Sequence, residues 1–156
     1  KYVKLNNISI DSYPYKIKIR IPKEKWKLAY LAAFIDGEGT IHDWVDKRRK
    51  GSWKTEVKAA NTNKEVIDWI VHNFGGNYSI HQDRRKTKTG KLRKIQYEWY
   101  ISSKADVFAL LSHLLPFLIV KREEAKDLLT RLDSYFRERS PNFYKAQLKP
   151  FASRKI

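Results

Sequence analysis

The feature that most restricts how this chain can fold is an almost wholly apolar stretch that ends in two carboxylates set between glycines. Apart from two lysines, residues 25–35 carry no charge, and residues 36–39 then read Asp-Gly-Glu-Gly. The stretch predicts a helix over residues 25–35, and the conformational freedom of Gly37 and Gly39 predicts where it stops. A helix that is apolar all round is normally buried on all sides.

The partner we expect for this helix is the same helix from a second copy. A chain of 156 residues has few other ways to bury one helix completely. Small side chains on one face let two helices approach to the short end of the ~8–10 Å interaxial range. The candidate residues of this homodimer interface are Ala29, Ala32 and Ala33.

The carboxylates at the helix end are electrostatically unusual. Asp36 and Glu38 would lie where the negative end of the helix dipole disfavours each of them by ~0.3–1 kcal/mol. A divalent cation would reverse that effect, and Mg²⁺ is typically held by one or two carboxylates together with phosphate oxygens. Two such helix ends side by side would present one Glu38 from each copy, which predicts a Mg²⁺ site there.

The charge of the chain indicates what it binds. Thirty-three lysines and arginines stand against seventeen aspartates and glutamates, a formal net charge of +16. This excess attracts a polyanion, most often a nucleic acid, before any specific contact forms. The absence of cysteine excludes disulfides and thiolate metal sites, and the histidines lack the spacing of a zinc site. We expect an intracellular protein, cytoplasmic or organellar, with no membrane partner.

The remaining patterns predict an α+β domain. Alternation of apolar and polar residues predicts two hairpins, over residues 40–62 and 77–102. Helices are predicted over residues 64–74, 104–115 and 120–136. Hairpins joined by helices imply one antiparallel sheet with the helices on one face. We divide the chain into a basic arm that is a strand or extended segment (1–22), the domain (23–136) and a basic tail (137–156).

One face of the hairpins is a candidate DNA-binding surface. Alternation gathers charged and hydrogen-bonding side chains there, as on any solvated sheet. In a chain of this charge, a twisted ribbon also fits the ~12 Å wide major groove and can contact bases. Tyr78 and Ile80 are expected to point inward. The candidates are His42, Trp44, Asp46, Arg48, Lys50, Lys54, Glu56, Lys58, His81, Asp83, Arg85, Lys94, Gln96, Glu98 and Tyr100.

Residues 31–39, Leu-Ala-Ala-Phe-Ile-Asp-Gly-Glu-Gly, resemble the signature of the LAGLIDADG homing endonucleases in its variant ending Asp-Gly-Glu-Gly. The order of elements over residues 23–136 is also similar to the αββαββα core of that family. The motif occurs once, which in this family implies a homodimer with the motif helix at its interface. The resemblance does not extend to the arm or the tail.

The resemblance implies roles for individual residues. Glu38 would be the metal ligand, assisted by the backbone carbonyl of Gly37, with Asp36 as a supporting catalytic residue. Asn63 matches the place of a water-positioning side chain, although a plain helix cap is the somewhat better interpretation. Lys121 matches the basic residue that follows Pro-Phe-Leu in the family, although a simple helix-start lysine is nearly as good an interpretation. Which residue supplies a further cation on the middle helix stays open.

The function that the resemblance implies is Mg²⁺-dependent hydrolysis of double-stranded DNA by a homodimer. The cut would be staggered, in a long and roughly palindromic site, and would serve intron or intein mobility, with an intron-encoded protein favoured. The alternative within the same fold is a non-cleaving maturase that binds structured RNA, or a DNA-binding regulator. A basic structural protein that dimerises through the helix is a third class.

Overall fold

The computed structural model describes residues 15–82 and 87–140. The predicted DNA-contacting residues Asp83 and Arg85 lie outside these ranges, as do residues 1–14 of the predicted arm and 141–156 of the tail. The described chain forms its helices and strands in the predicted order. They are α1 Lys25–Glu38, β1 Gly39–Asp46, β2 Ser52–Asn61, α2 Lys64–Phe74, β3 Asn77–His81, β4 Gln96–Ile101, α3 Lys104–Leu114 and α4 Arg122–Arg139, with a 3-10 turn Lys47–Arg49 between β1 and β2.

The four strands form one antiparallel sheet in the order β1-β2-β4-β3. Each predicted hairpin pairs internally, β1 with β2 and β3 with β4, and the pairing of β2 with β4 joins the two hairpins. The predicted α+β class and the αββαββα order are therefore confirmed.

The core lies between the helices and one side of the sheet. Ile41, Val57 and Ile101 are paired across three adjacent strands, and all three are buried on the helix side. Trp99 on β4 is fully buried, and its indole Nε1 donates a hydrogen bond to the carbonyl of Gly75 at 2.7 Å. In the described strands, the residues that point to the opposite side are all at least partly exposed.

Helix α1 is longer than predicted, because its glycines do not end it through a positive φ. The helix continues through Gly37 to Glu38, and Gly39 is extended, with φ of −106°. A Cβ on Gly39 would lie 2.8 Å from backbone atoms of Ile35 and 2.9 Å from the carbonyl oxygen of Lys58. Gly39 is therefore required by the close approach of the end of α1 to β2.

The second hairpin has shorter strands than predicted, since β3 ends at His81 and β4 begins at Gln96. Tyr78 and Ile80 point to the helix side, as predicted, but they remain 45% and 57% exposed. They are not core residues, because β3 is the edge strand of the sheet and the helices leave it largely uncovered.

The described part of the predicted arm forms no strand. The backbone N–H of Arg20 donates to the carbonyl of Phe74 at 2.8 Å, and that of Lys18 donates to Oδ1 of Asp106 at 2.7 Å. Ile19 is buried between these two attachments. The segment is therefore extended chain that ties the end of α2 to the start of α3.

Candidate active site and nucleic-acid interface

Helix α1 has one face buried in its own chain and one face open. Leu28, Leu31, Ala32 and Ile35 are buried. We call the opposite side the exposed α1 face; it consists of Trp26, Ala29, Tyr30, Ala33 and Gly37, and it carries no charge. Its two aromatic side chains are 60% and 45% exposed. Within one chain the helix is thus not buried on all sides, and its complete burial would need the second copy that its composition predicted.

The predicted dimer interface needs one correction. Ala32 has an exposed fraction of 0% and packs inside its own chain, so it cannot contact a second copy. Ala29 and Ala33, the other two predicted interface residues, do belong to the exposed α1 face. Composition could not separate these alanines, because both sides of the helix are apolar.

Asp36 is held by the loop that precedes α4. Its Oδ2 accepts the N–H of Ile119 at 2.7 Å, and its Oδ1 accepts the N–H of Lys121 at 2.9 Å. Burial acts to raise the pKa of Asp36, but these N–H groups, with that of Val120, outweigh it and the pKa is lowered. The carboxylate therefore lies at the N-terminus of α4, where a helix dipole favours negative charge, rather than in an uncompensated position at the end of α1.

Glu38 is in the opposite situation. It is the last residue of α1, and it is exposed. Its carboxylate has no hydrogen bond and no ion pair with any other residue in the described ranges. The unfavourable effect of the C-terminal dipole end is therefore left uncompensated at Glu38 alone.

The tip of α1 offers oxygen donors but no complete metal site. Glu38 supplies an unpartnered carboxylate, and Gly37, which is exposed, supplies a backbone carbonyl in the last turn of the helix. These are the hard oxygen ligands that Mg²⁺ takes. The described residues of one chain contain no cluster of three or more side chains suited to hold a metal. A site here would need donors from a second copy or from a bound phosphate.

Lys121 lies at the same tip. Its Nζ donates to the backbone carbonyl of Asp36 at 2.9 Å, and its own N–H is bound by the Asp36 carboxylate. Lys121 is therefore a fixed, half-buried cation bound to Asp36, two residues before Glu38, and not a freely solvated lysine at a helix start. The pairing joins residues 85 positions apart in the sequence.

Asn63 is the N-cap of α2, as the plainer interpretation predicted. Its Oδ1 accepts the N–H of Glu65 at 3.0 Å, so that oxygen is already used. Gly39 pairs with Ala59 near the end of β2, which places Asn63 at the same end of the sheet as the tip of α1. On the first turn of α2, Lys64 is bound to Asp68 at 2.6 Å, and this hydrogen bond raises the pKa of Lys64. Lys121, by contrast, is bound directly to the α1 tip.

The sheet surface that points away from the helices gathers most of the predicted DNA-binding residues. We call this surface the open face. Of the predicted set, those on its strands are His42, Trp44, Asp46, Lys54, Glu56, Lys58, His81, Gln96, Glu98 and Tyr100. Arg48 and Lys50 lie in the β1–β2 turn, and Lys94 lies before β4. Thr40, Asn77 and Ser79 share the open face and were missed, although the same alternation extended by one or two residues would have found them.

An alternating row of charges crosses all four strands of the open face. His42 on β1 lies 3.7 Å from Glu56 on β2, and Lys58 on β2 lies 3.4 Å from Glu56. Lys58 also lies 3.7 Å from Glu98 on β4, and Glu98 lies 3.6 Å from His81 on β3. These N···O distances are ion-pair distances that exceed the ~2.7–2.9 Å of a charge-assisted hydrogen bond.

Solved structures show which fold these elements make. The archaeal intron-encoded homing endonuclease I-Vdi141I, complexed with DNA, matches over 81% of this chain and 80% of its own, with a TM-score of 0.56 and 18% identity. The homing endonuclease I-CvuI, in complex with its target in the presence of 2 mM Ca, matches over 77% and 74%, with a TM-score of 0.53 and 22% identity. The LAGLIDADG homing endonuclease I-GzeII, with its DNA target, matches 70% of this chain but 37% of its own, with a TM-score of 0.50 and 18% identity.

The chain has the fold of the LAGLIDADG homing endonucleases. The fold that the resemblance of residues 31–39 implied is therefore confirmed. No protein-family model matches the sequence, and no curated protein matches it. At these identities the structural matches define the fold, while the activity has to be argued from the site. Among the described residues, no helix has the length and apolar character that a bilayer span requires.

Proposed function

We propose that this chain is a site-specific double-strand DNA endonuclease that acts as a homodimer and depends on a divalent cation, Mg²⁺ in the cell. The observation that carries the proposal is Glu38, an exposed carboxylate without a partner among the described residues, at the C-terminal tip of α1 where Lys121 binds the carbonyl of Asp36. An uncompensated carboxylate at a helix C-terminus is unfavourable for the fold, which argues that it serves a ligand.

The dimer follows from the exposed α1 face. Contact between the two copies of this uncharged face would bury its exposed Trp26 and Tyr30 and would bring the two Glu38 carboxylates close together. Large exposed apolar patches in soluble proteins mark interaction sites. Glu38 and the carbonyl of Gly37, from each copy, would then be the protein ligands of the cations.

The residues around the tip supply the remaining chemistry. A bound Mg²⁺ would stabilise the attacking and leaving oxygens of the phosphodiester and lower the pKa of a coordinated water. The Lys121 ammonium is placed to stabilise negative charge on the reacting phosphate. Asp36 acts as a positioning residue, because its carboxylate holds the loop that carries Lys121. Asn63, whose Oδ1 is used as a cap, can offer its amide N–H₂ to a water.

The open faces of the two copies would flank the reacting phosphates and contact the major groove on either side. A minor groove of ~6 Å would then separate the two strands at the α1 tips, which suits a staggered cut across it. The net charge of +16 favours binding to the DNA backbone. Intron-encoded origin and action inside the cell, in cytoplasm or organelle, belong to the same proposal.

The test has two stages. Duplexes that the parent chain binds are first selected from a random-sequence pool without divalent cation, and the selected sequence is then placed in a plasmid. With Mg²⁺ the parent should linearise the plasmid, and with EDTA it should not. Glu38→Gln should lower the cleavage rate at least about 100-fold, the loss typical of removing a group that stabilises transition-state charge, while DNA affinity is kept.

Glu138→Gln is the matched control, since Glu138 is an exposed glutamate at the far end of α4, and its cleavage rate should equal that of the parent. Binding without cleavage by the parent would support a DNA-binding regulator instead. Binding to structured RNA in preference to all duplexes would support a maturase.

A further inference from the structure

The row of charges on the open face contains two carboxylates whose acceptor capacity is unused. Glu56 and Glu98 lie 3.4 to 3.7 Å from side-chain nitrogens of His42, Lys58 and His81. None of these pairs is a hydrogen bond, and neither carboxylate accepts a hydrogen bond from any residue in the described ranges. A carboxylate has two oxygens with about four lone-pair sites, so both groups can still accept donors from a ligand.

Asp43, on the helix side of the same sheet, is a carboxylate whose oxygens accept several hydrogen bonds within the chain. Asp43 accepts two hydrogen bonds from Arg131, at 3.0 and 2.9 Å, and a third from the indole of Trp53 at 2.7 Å. These three donors hold α4 against β1 and β2. Glu56 and Glu98 are partly exposed like Asp43 but lack such donors, so their oxygens are open to solvent and to a ligand.

The neighbours of Glu56 and Glu98 fix them in place. Lys58 lies between the two carboxylates, within 3.4 Å of one and 3.7 Å of the other. The ring of His42 is stacked on Trp44, with centroids 4.9 Å apart. Because the Lys58 ammonium lies beside both carboxylates, the two can face a polyanion at a reduced electrostatic cost. Their side chains are 20% and 25% exposed, less than the flanking basic side chains, which are 34% to 57% exposed.

We propose that Glu56 and Glu98 determine base specificity on the open face by accepting hydrogen bonds from cytosine N4 amino groups in the major groove. The inference rests on the proposed function, since it assumes that the open face contacts duplex DNA. A carboxylate offers acceptors only, and the exposed amino groups of the major groove are cytosine N4 and adenine N6. Adenine N6 lies between two acceptors, its own N7 and the O4 of the paired thymine, which repel the second carboxylate oxygen, whereas cytosine N4 has an acceptor on one side only, the O6 of the paired guanine.

The experiment compares the parent chain with Glu56→Gln and Glu98→Gln in selection from a random-sequence duplex pool without divalent cation. The parent should select cytosine at one position in each half-site for each glutamate. Each variant should lose that preference at its own position by roughly tenfold or more and gain preference for adenine there, because a glutamine amide pairs with adenine N6 and N7. Glu123→Gln, which changes the same charge on α4 away from the open face, should leave all preferences unchanged.

Two outcomes would overturn the inference. If both variants keep the base preferences of the parent while their affinity rises equally for all sequences, the glutamates only contribute charge. If the parent selects no cytosine at all, the carboxylates do not contact bases. Cleavage by the parent in either case would leave the proposed function standing, whereas a parent that binds no duplex would refute both.

Discussion

The two faces of helix α1 consist of the same kinds of apolar residue, yet one is buried in the core of the chain and the other is exposed. Leu28, Leu31 and Ile35 are buried in the core of their own chain, whereas Trp26 and Tyr30 are about half exposed or more on the other side. The comparison shows that a helix apolar all round can hold its own domain together with one side. Its other side then stays available for a second copy.

The largest effect on stability is expected on the buried face. Leu31 has an exposed fraction of 0%, and Leu31→Ala would remove its contacts and leave a cavity. The free energy of unfolding should fall by about 2–5 kcal/mol, measured by urea denaturation. Lys25→Ala, at the exposed first position of α1, should change it by no more than about 0.5 kcal/mol. Equal losses in both variants would contradict the assignment of the buried face.

A smaller loss of unfolding free energy is expected on replacing Asp36, in the last turn of α1. Asp36→Asn would replace a carboxylate that accepts hydrogen bonds from Ile119 and Lys121 and should cost about 1.5–3 kcal/mol of unfolding free energy at neutral pH. The pKa of Asp36 is lower in the folded chain than its ordinary value of 3.8. Its contribution to stability is therefore fully present above 3.8 and is lost as the pH falls through the folded pKa.

Urea denaturation of parent and Asp36→Asn across acidic pH checks this sign. The difference in unfolding free energy between the parent and Asp36→Asn should be largest at neutral pH and should decrease as the solution becomes acidic. A gap that widens towards low pH would show that the Asp36 carboxylate is not stabilised by the loop before α4.

The smallest effect on the fold is expected on the exposed α1 face. Ala33→Arg should leave the unfolding free energy of the chain within about 0.5 kcal/mol, because position 33 is exposed. The same change should weaken the proposed homodimer at least about tenfold, since like charges would meet at a close helix contact. Sedimentation over a concentration series measures this. Ser134→Arg, on an exposed position of α4, should leave association unchanged. A dimer that is unaffected by Ala33→Arg would show that α1 is not the interface.

Elements whose ends depend on local chemistry were predicted well. Helix α2 begins and ends at the predicted residues, because Asn63 caps its start and Gly75 and Gly76 adopt positive φ at its end. The end of α1 was placed three residues early, because the glycines there do not use a positive φ. Gly39 is instead demanded by the backbone of Ile35 in α1 and by the carbonyl of Lys58 in β2, and no local pattern reveals the contact with β2.

The sequence by itself determined the order of the elements, the strongly basic charge, the motif at residues 31–39 and the alternation that puts the candidate DNA-binding residues on one side of the hairpins. These properties depend on periodicity and on residues close together in the chain. Only the tertiary structure decided that Ala32 is buried, that Asp36 is held by residues more than 80 positions away, and that Glu38 has no partner within residues 15–82 and 87–140. The physical reason is that burial and hydrogen bonding at these positions depend on which distant segments the fold brings into contact.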